Sequence, residues 1–170
     1  MMMILQAQLV FLPTYNAENS SQLQDPAWFQ LAGARQHSVP VGGAGEQLGV
    51  WSITGVGAEL SCDKLFCNDH TTILYLHGQT GHRGTHYRWL DWQIFSVDII
   101  NIFTLRLGLY RVLTGLGYNV VTFDYRGYGD SVPSAAAPSV ARVVEDTGAV
   151  YSWLLSNTAG AGAGGRVLVK

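Results

Sequence analysis

Two short stretches hold most of the residues whose types and spacing could do chemistry. In Leu76-His77-Gly78-Gln79-Thr80-Gly81 a glycine-supported turn follows an apolar run. Its backbone N–H groups can point at a developing negative charge, and one such oxyanion donor is worth about 2.7–4 kcal/mol. An ordinary strand-end turn has the same composition. The second stretch, Asp124-Tyr125-Arg126-Gly127-Tyr128-Gly129-Asp130-Ser131, ends the next apolar run, where α/β sheets place their ligand crevice. Loop packing, with Asp124 and Arg126 bonded to backbone and to each other, would use the same side chains.

Three further constellations are weaker. Ser131 with His77, His82 or His86 offers the residue types of a hydrolytic triad, but loop histidines near acids are common. Cys62, Cys67 and His70, with Asp63 and Asp69, are metal-ligand types without a second paired cluster, which favours free thiols in a loop. Gly160, Gly162 and Gly165 fit Gly-x-Gly-x-x-Gly, yet a helix precedes them and a strand follows, the reverse of the dinucleotide arrangement. No phosphate-binding Gly-Lys-Ser/Thr occurs. The expectation is therefore no metal and no cofactor.

The elements that must position these groups follow from periodicity. Residues 16–24 are polar and 41–45 glycine-rich with no clear apolar period linking them, so residues before about 46 are expected to be irregular or peripheral. Residues 47–53 form the first expected strand, with Leu48, Val50 and Ser52 on one face and Trp51 and Ile53 on the other. Residues 71–76 read as a buried parallel strand. Leu109, Val112, Leu113 and Leu116 follow helical spacing that Gly117 can end. Residues 118–125 form the next strand. Val140, Val143, Val144, Thr147, Tyr151, Leu154 and Leu155 then share one helical face, capped by Ser139. A last strand begins at Arg166. Strand, helix, strand, helix, strand is the order of a right-handed parallel unit, so the fold class is α/β.

Composition bounds the rest. With 170 residues, 48% of them hydrophobic and 13% charged, the chain can bury one core, and a net charge of −2 argues against a nucleic-acid surface. The first twelve residues are too few to span a membrane, and no Lys or Arg occurs before Arg35, against a cleavable signal. Asn19-Ser20-Ser21 fits a glycosylation triplet, which matters only in a secretory lumen. Residues 89–107 are the most apolar stretch, but Asp91, Asp98 and Arg106 interrupt it, and a charge at bilayer centre costs roughly 2.5–3.5 kcal/mol. No transmembrane segment is evident.

Taken together, the 73–78 and 116–131 motifs resemble the α/β-hydrolase superfamily, and within it the lysophosphatidylserine lipase and monoacylglycerol lipase branch. Leu48-Gly49-Val50-Trp51 and Leu109-Tyr110-Arg111-Val112-Leu113 are also similar to that branch. The similarity covers residues 46–88 and 108–170. It implies a partial α/β-hydrolase fold, a mostly parallel sheet flanked by helices. It also implies an oxyanion loop of His77, Gly78 and Gln79, the Gln79 N–H meeting the acyl oxygen, with Asp124, Arg126 and Asp130 supporting the site and Ser131 not acting as nucleophile.

The nucleophile of that fold sits in Gly-x-Ser-x-Gly on a strand-to-helix turn, and this sequence contains none. The resemblance puts residues 167–170 in the strand leading to it, so no catalytic residue is expected here and the chain is expected to be an inactive fragment or splice form. Residues 89–107 have no counterpart in the family and are expected to be an insertion, such as a retained intron, within an incomplete domain at 46–170 that follows an irregular segment at 1–45. The implied substrates are lipid esters at a membrane surface, and the implied location is the endoplasmic reticulum membrane. The competing reading is a noncatalytic interaction or membrane-surface protein that uses the apolar insertion.

Overall fold

The computed structural model describes residues 21–57, 64–66, 68–85, 106–132, 138–158 and 166–169. The 89–105 part of the expected insertion, Cys62, Asp63, Cys67, His86, the glycine run at 160–165 and the first two residues of the glycosylation triplet lie outside them. Five strands form one sheet: β1 Ala34–Pro40, β2 Gln47–Ile53, β3 Thr72–Leu76, β4 Asn119–Phe123 and β5 Val167–Val169. Two helices, α1 Arg106–Gly115 and α2 Val140–Asn157, connect the last three.

The strand order is β1-β2-β4-β3-β5. β1 pairs antiparallel with β2, and β2 antiparallel with β4, whereas β3 runs parallel to both β4 and β5. β2 is covered on both sides as its sequence requires. Leu48 and Val50 join one core cluster with Leu74, Val121 and Phe123, under Val150 and Leu154 of α2. Trp51 and Ile53 join the other with Val120, under Leu107 and Tyr110 of α1. Each face of the sheet thus carries one helix, the three-layer solution for strands apolar on both sides.

Three expectations are corrected. Residues before 46 are not all irregular: β1 pairs along its whole length with β2, and Leu23 and Leu31 enter the α1-side core. β1 carries Arg35, Gln36, His37 and Ser38, so as a polar edge strand it has no apolar period to read. In α1 the buried stripe is Leu107, Tyr110 and Thr114, while Leu116 is exposed. In α2 it is Val150 and Leu154 with Val143 against the same cluster, while Val140, Val144, Tyr151 and Leu155 are exposed. The Ser139 cap holds, its hydroxyl accepting from the Arg142 N–H at 3.3 Å. Among the described residues no helix is long and apolar enough to cross a membrane.

The turn from α1 into β4 shows why glycine stands where it does. Gly117 has φ +85°, a left-handed position that ends the helix. Opposite, a Cβ on Gly55 would lie 2.8 Å from the Gly117 and Tyr118 backbone, so β2 and this turn meet main chain to main chain.

Candidate functional site

The parallel arrangement of β3 and β4 brings the two chemistry-bearing stretches side by side, because both loops leave the carboxyl ends of adjacent strands. At their junction lies Asp124, fully buried directly after β4. Its carboxylate accepts from the Arg83 N–H at 2.6 Å and from Arg83 Nη1 at 2.5 Å. The same guanidinium reaches Asp130, Nη1 to Oδ1 at 2.5 Å and Nη2 to Oδ2 at 2.9 Å. Nη2 also donates to Leu23 O and Gln36 Oε1, each at 3.0 Å. Arg83 therefore ties the loop after β3, the loop after β4, β1 and the N-terminal region together. Its guanidinium lies 4.9 Å from the Trp51 ring centroid, a cation–π contact beneath the ion pairs.

Burial alone would push the Asp124 carboxyl up, but Arg83, with His77 and His82 nearby, holds it at about 2. Burial works against the Arg83 charge in the same way, and the two carboxylates overcome it, so its pKa is raised.

His77 does not project into solvent. Its imidazole is buried between Tyr125, 4.5 Å away by ring centroids, and Tyr128, 5.2 Å away. Nδ1–H donates to Gly78 O at 2.7 Å, and Nε2 lies 3.3 Å from Asp124 Oδ1, out of line for a hydrogen bond. Two phenols grip the loop itself, Tyr125 donating to His77 O at 3.1 Å and Tyr128 to Gln79 O at 2.9 Å. Arg106, at the start of α1, donates to Thr80 O and His82 O, both at 2.5 Å. With its carbonyls so anchored, the loop exposes Gly78 and Gln79, and among the described residues nothing accepts from the Gln79 N–H.

Arg126 does not pair with Asp124. It turns to the other side of its loop, where Nε donates to Asp146 at 2.7 Å, Nη1 to Glu46 at 2.6 Å and Nη2 to Glu145 at 2.5 Å. The Arg126 N–H donates to the second Asp146 oxygen at 2.9 Å, so α2 and the turn before β2 are locked to the loop.

Ser131 cannot serve as a nucleophile in this arrangement. It is buried, its hydroxyl donates to Asp124 O at 2.6 Å and it accepts from the Gly49 N–H at 2.9 Å. His82 is likewise committed, its Nδ1 accepting from the Gly84 N–H at 3.1 Å. Among the described residues no three potential ligands gather to hold a metal ion.

Of the expected site residues, the fold brings His77, Gly78, Gln79, Asp124 and Asp130 together and turns Arg126 to their flank. Sequence reasoning missed Arg83, Arg106, Tyr125 and Tyr128 as anchors. The signal for Arg83 is faint: a single cation among small residues in Gly81-His82-Arg83-Gly84-Thr85.

These groups predict a stability profile against pH. Asp124 has a depressed carboxyl, so its contribution is complete above the unfolded value near 3.8 and disappears as pH falls toward 2. Burial lowers the His82 and His37 pKa values below 6.5, so below that pH the unfolded chain takes up protons the folded one does not. Asp146, raised by burial, runs the other way. Urea midpoints should fall in two stages on acidification, below about pH 6.5 and again below about pH 4; a midpoint constant from pH 7 to pH 3 would contradict the assignment.

No family profile matches the chain. It is 36% identical over 118 residues to the lysophosphatidylserine lipase ABHD12 of Danio rerio, covering 65% of this chain and 25% of that protein. To the lysophosphatidylserine lipase ABHD12 of Gallus gallus it is 41% identical over 97 residues, 54% of this chain and 20% of the relative. It thus spans a quarter or less of the length of these two curated relatives. Human Protein ABHD12B is 28% identical over 117 residues, 64% of this chain and 26% of that one. Among solved structures, an esterase of Pyrococcus furiosus superposes with a TM-score of 0.51 at 18% identity, over 94% of this chain and 45% of that one. The likeness shows a partial α/β-hydrolase fold.

Proposed function

Because this chain belongs to the α/β-hydrolase superfamily, we propose that it forms the scaffold and oxyanion loop of a serine hydrolase cleaving carboxylic esters of lysophospholipids or monoacylglycerols. The observation that carries this reading is the Gln79 N–H, in the loop after β3 and without an acceptor among the described residues, on a loop whose carbonyls are held by Tyr125, Tyr128 and Arg106. A donor fixed in place before charge develops stabilises an acyl oxyanion without reorganisation. Asp124, Asp130 and Arg83 brace the loop, and Arg126 fixes its flank to α2.

These residues supply no attacking alcohol, since Gly-x-Ser-x-Gly does not occur and Ser131 is buried and hydrogen-bonded. By itself the chain therefore turns over no ester. Lipid substrates of this class place the work at a membrane surface, with the endoplasmic reticulum as the proposed location.

The test grafts residues 72–85 and 119–132 into the Danio rerio relative and measures lysophosphatidylserine hydrolysis. The graft should keep activity, and adding Gln79→Pro, which deletes the one N–H, should lower kcat about a hundredfold or more with KM little changed. Unchanged kcat in the proline variant would refute the oxyanion role. Covalent fluorophosphonate labelling of a serine in the 170-residue chain itself would refute the absence of a nucleophile.

A further inference from the structure

Both peptide units that meet at Gln79 are held by their carbonyls, each by a different side chain. His77 Nδ1 lies 2.7 Å from Gly78 O, and the Tyr128 hydroxyl donates to Gln79 O at 2.9 Å. A carbonyl oxygen only accepts, so the proton of this pair sits on His77 Nδ1. We propose that His77 and Tyr128 are positioning residues that aim the Gln79 N–H at the acyl oxygen, a role that rests on the oxyanion function proposed for that N–H.

The aim follows from peptide geometry. Gly78 C=O and Gln79 N–H belong to one planar trans unit, in which they point in opposite directions. An imidazole that fixes the carbonyl therefore fixes the N–H on the far side of the same plane, away from His77. Gly78 has no side chain to restrict that plane, and a Cβ there would meet nothing within 4 Å, so packing does not hold it. The hydrogen bond does. It also polarises the unit, since a donor on the carbonyl oxygen draws charge from the amide nitrogen and makes its N–H a stronger donor.

Tyr128 acts on both units. Its hydroxyl stops the plane after Gln79 from swinging, and its ring packs edge-on against the imidazole with centroids 5.2 Å apart, while Tyr125 lies against the imidazole at 4.5 Å. His77 is 3% exposed and Tyr128 fully buried, so neither side chain has room to leave its acceptor. Tyr128 belongs to the loop after β4, so the direction of a donor in the loop after β3 is set in part by the neighbouring strand.

Gly78-Gln79 is the only Gly-Gln pair in the 170 residues. Labelling the full chain with carbonyl-13C glycine and 15N glutamine therefore gives one amide–carbonyl correlation in an NMR spectrum, from this unit alone. His77→Phe keeps a flat ring between the two tyrosines but carries no donor, and should move that carbonyl resonance upfield. His77→Asn, whose side-chain N–H can stand where Nδ1 stands, should bring it back toward the wild-type position. A correlation unmoved in H77F would overturn the proposal.

The functional arm uses the Danio rerio relative grafted with residues 72–85 and 119–132, which carry His77, Gln79 and Tyr128. H77F should lower kcat about tenfold or more with KM little changed, and H77N should recover most of that loss. Tyr128→Phe, which removes a hydroxyl only and stands in should H77F fail to fold, should lower kcat several-fold. Added to Gln79→Pro, H77F should cost nothing further, because the N–H it aims is already gone. A Q79P loss with kcat intact in H77F and Y128F, or an H77F loss that multiplies that of Q79P, would overturn the positioning role and leave the oxyanion role standing. An unchanged kcat in Q79P itself would remove both.

Discussion

Replacing Arg83 with methionine is expected to destabilise the fold by about 3–5 kcal/mol, the cost of leaving buried charges without their partner. Methionine fills much of the same volume, so the loss isolates charge from packing. It strands Asp124, fully buried, and Asp130, 9% exposed, next to each other. It also removes the Arg83 donor from Gln36 Oε1 and one of the two donors to Leu23 O, which keeps the Trp51 indole N–H. Against a total of about 5–15 kcal/mol for a native domain, that is roughly a fifth or more of the stability. Arg83→Lys should recover only part of it, because an ammonium cannot bridge two carboxylates with the planar geometry of a guanidinium. Urea denaturation of the three proteins measures the effect, and an R83M midpoint matching wild type would show the network to be energetically idle.

Trp51→Ala should be comparably damaging, about 3–5 kcal/mol, the usual range for an aromatic truncated in a core. The indole is fully buried, packs at a tilt against Phe29 with ring centroids 5.0 Å apart and donates Nε1–H to Leu23 O at 2.9 Å. Trp51→Phe keeps most of the volume but forfeits that hydrogen bond, and should cost nearer 1 kcal/mol. Since the Arg83 guanidinium rests against the Trp51 ring and both side chains donate to Leu23 O, the two losses share partners. The W51A/R83M double variant should therefore lose less than the two single losses combined. Strict additivity in a double-mutant cycle would argue that the cation–π contact contributes nothing.

How much of this was legible in the sequence depends on where each signal is stored. β2, β3 and β4 announce themselves as apolar runs because their side chains fill the two core clusters, whereas β5 reads the same way although only Val167 packs against the core and Leu168 and Val169 are exposed. β1 is silent because an edge strand can carry Arg35, Gln36, His37 and Ser38 and still pair fully with β2. The helices were found but their faces were misjudged. In α2 the apolar arc is wider than the face the sheet takes up, so its centre is not the centre of burial.

Within the candidate site, His77, Gly78, Gln79, Asp124 and Asp130 were marked by turn chemistry at strand ends. Arg83 was not, because its partner Asp124 is 41 residues away and nothing local distinguishes it from a solvated arginine. Arg126 was marked with the wrong partner. Asp146, on α2, is fully buried, and no spacing rule connects a helix carboxylate to a loop guanidinium 20 residues before it.

The position of β3 bears on how the polypeptide comes off the ribosome. It is flanked in the sheet by β4 and β5, both of which are translated after it. Roughly ninety residues must follow Leu76 before Val167 emerges, several seconds at ~5–20 residues per second. For about the first half of that interval, until Phe123 is made, Thr72–Leu76 is an apolar segment with neither neighbour present, while β1 and β2 can already close their hairpin. A nascent-chain chaperone would therefore find its binding sequence here, and arrest of translation before residue 119 should leave the emerging polypeptide prone to aggregation.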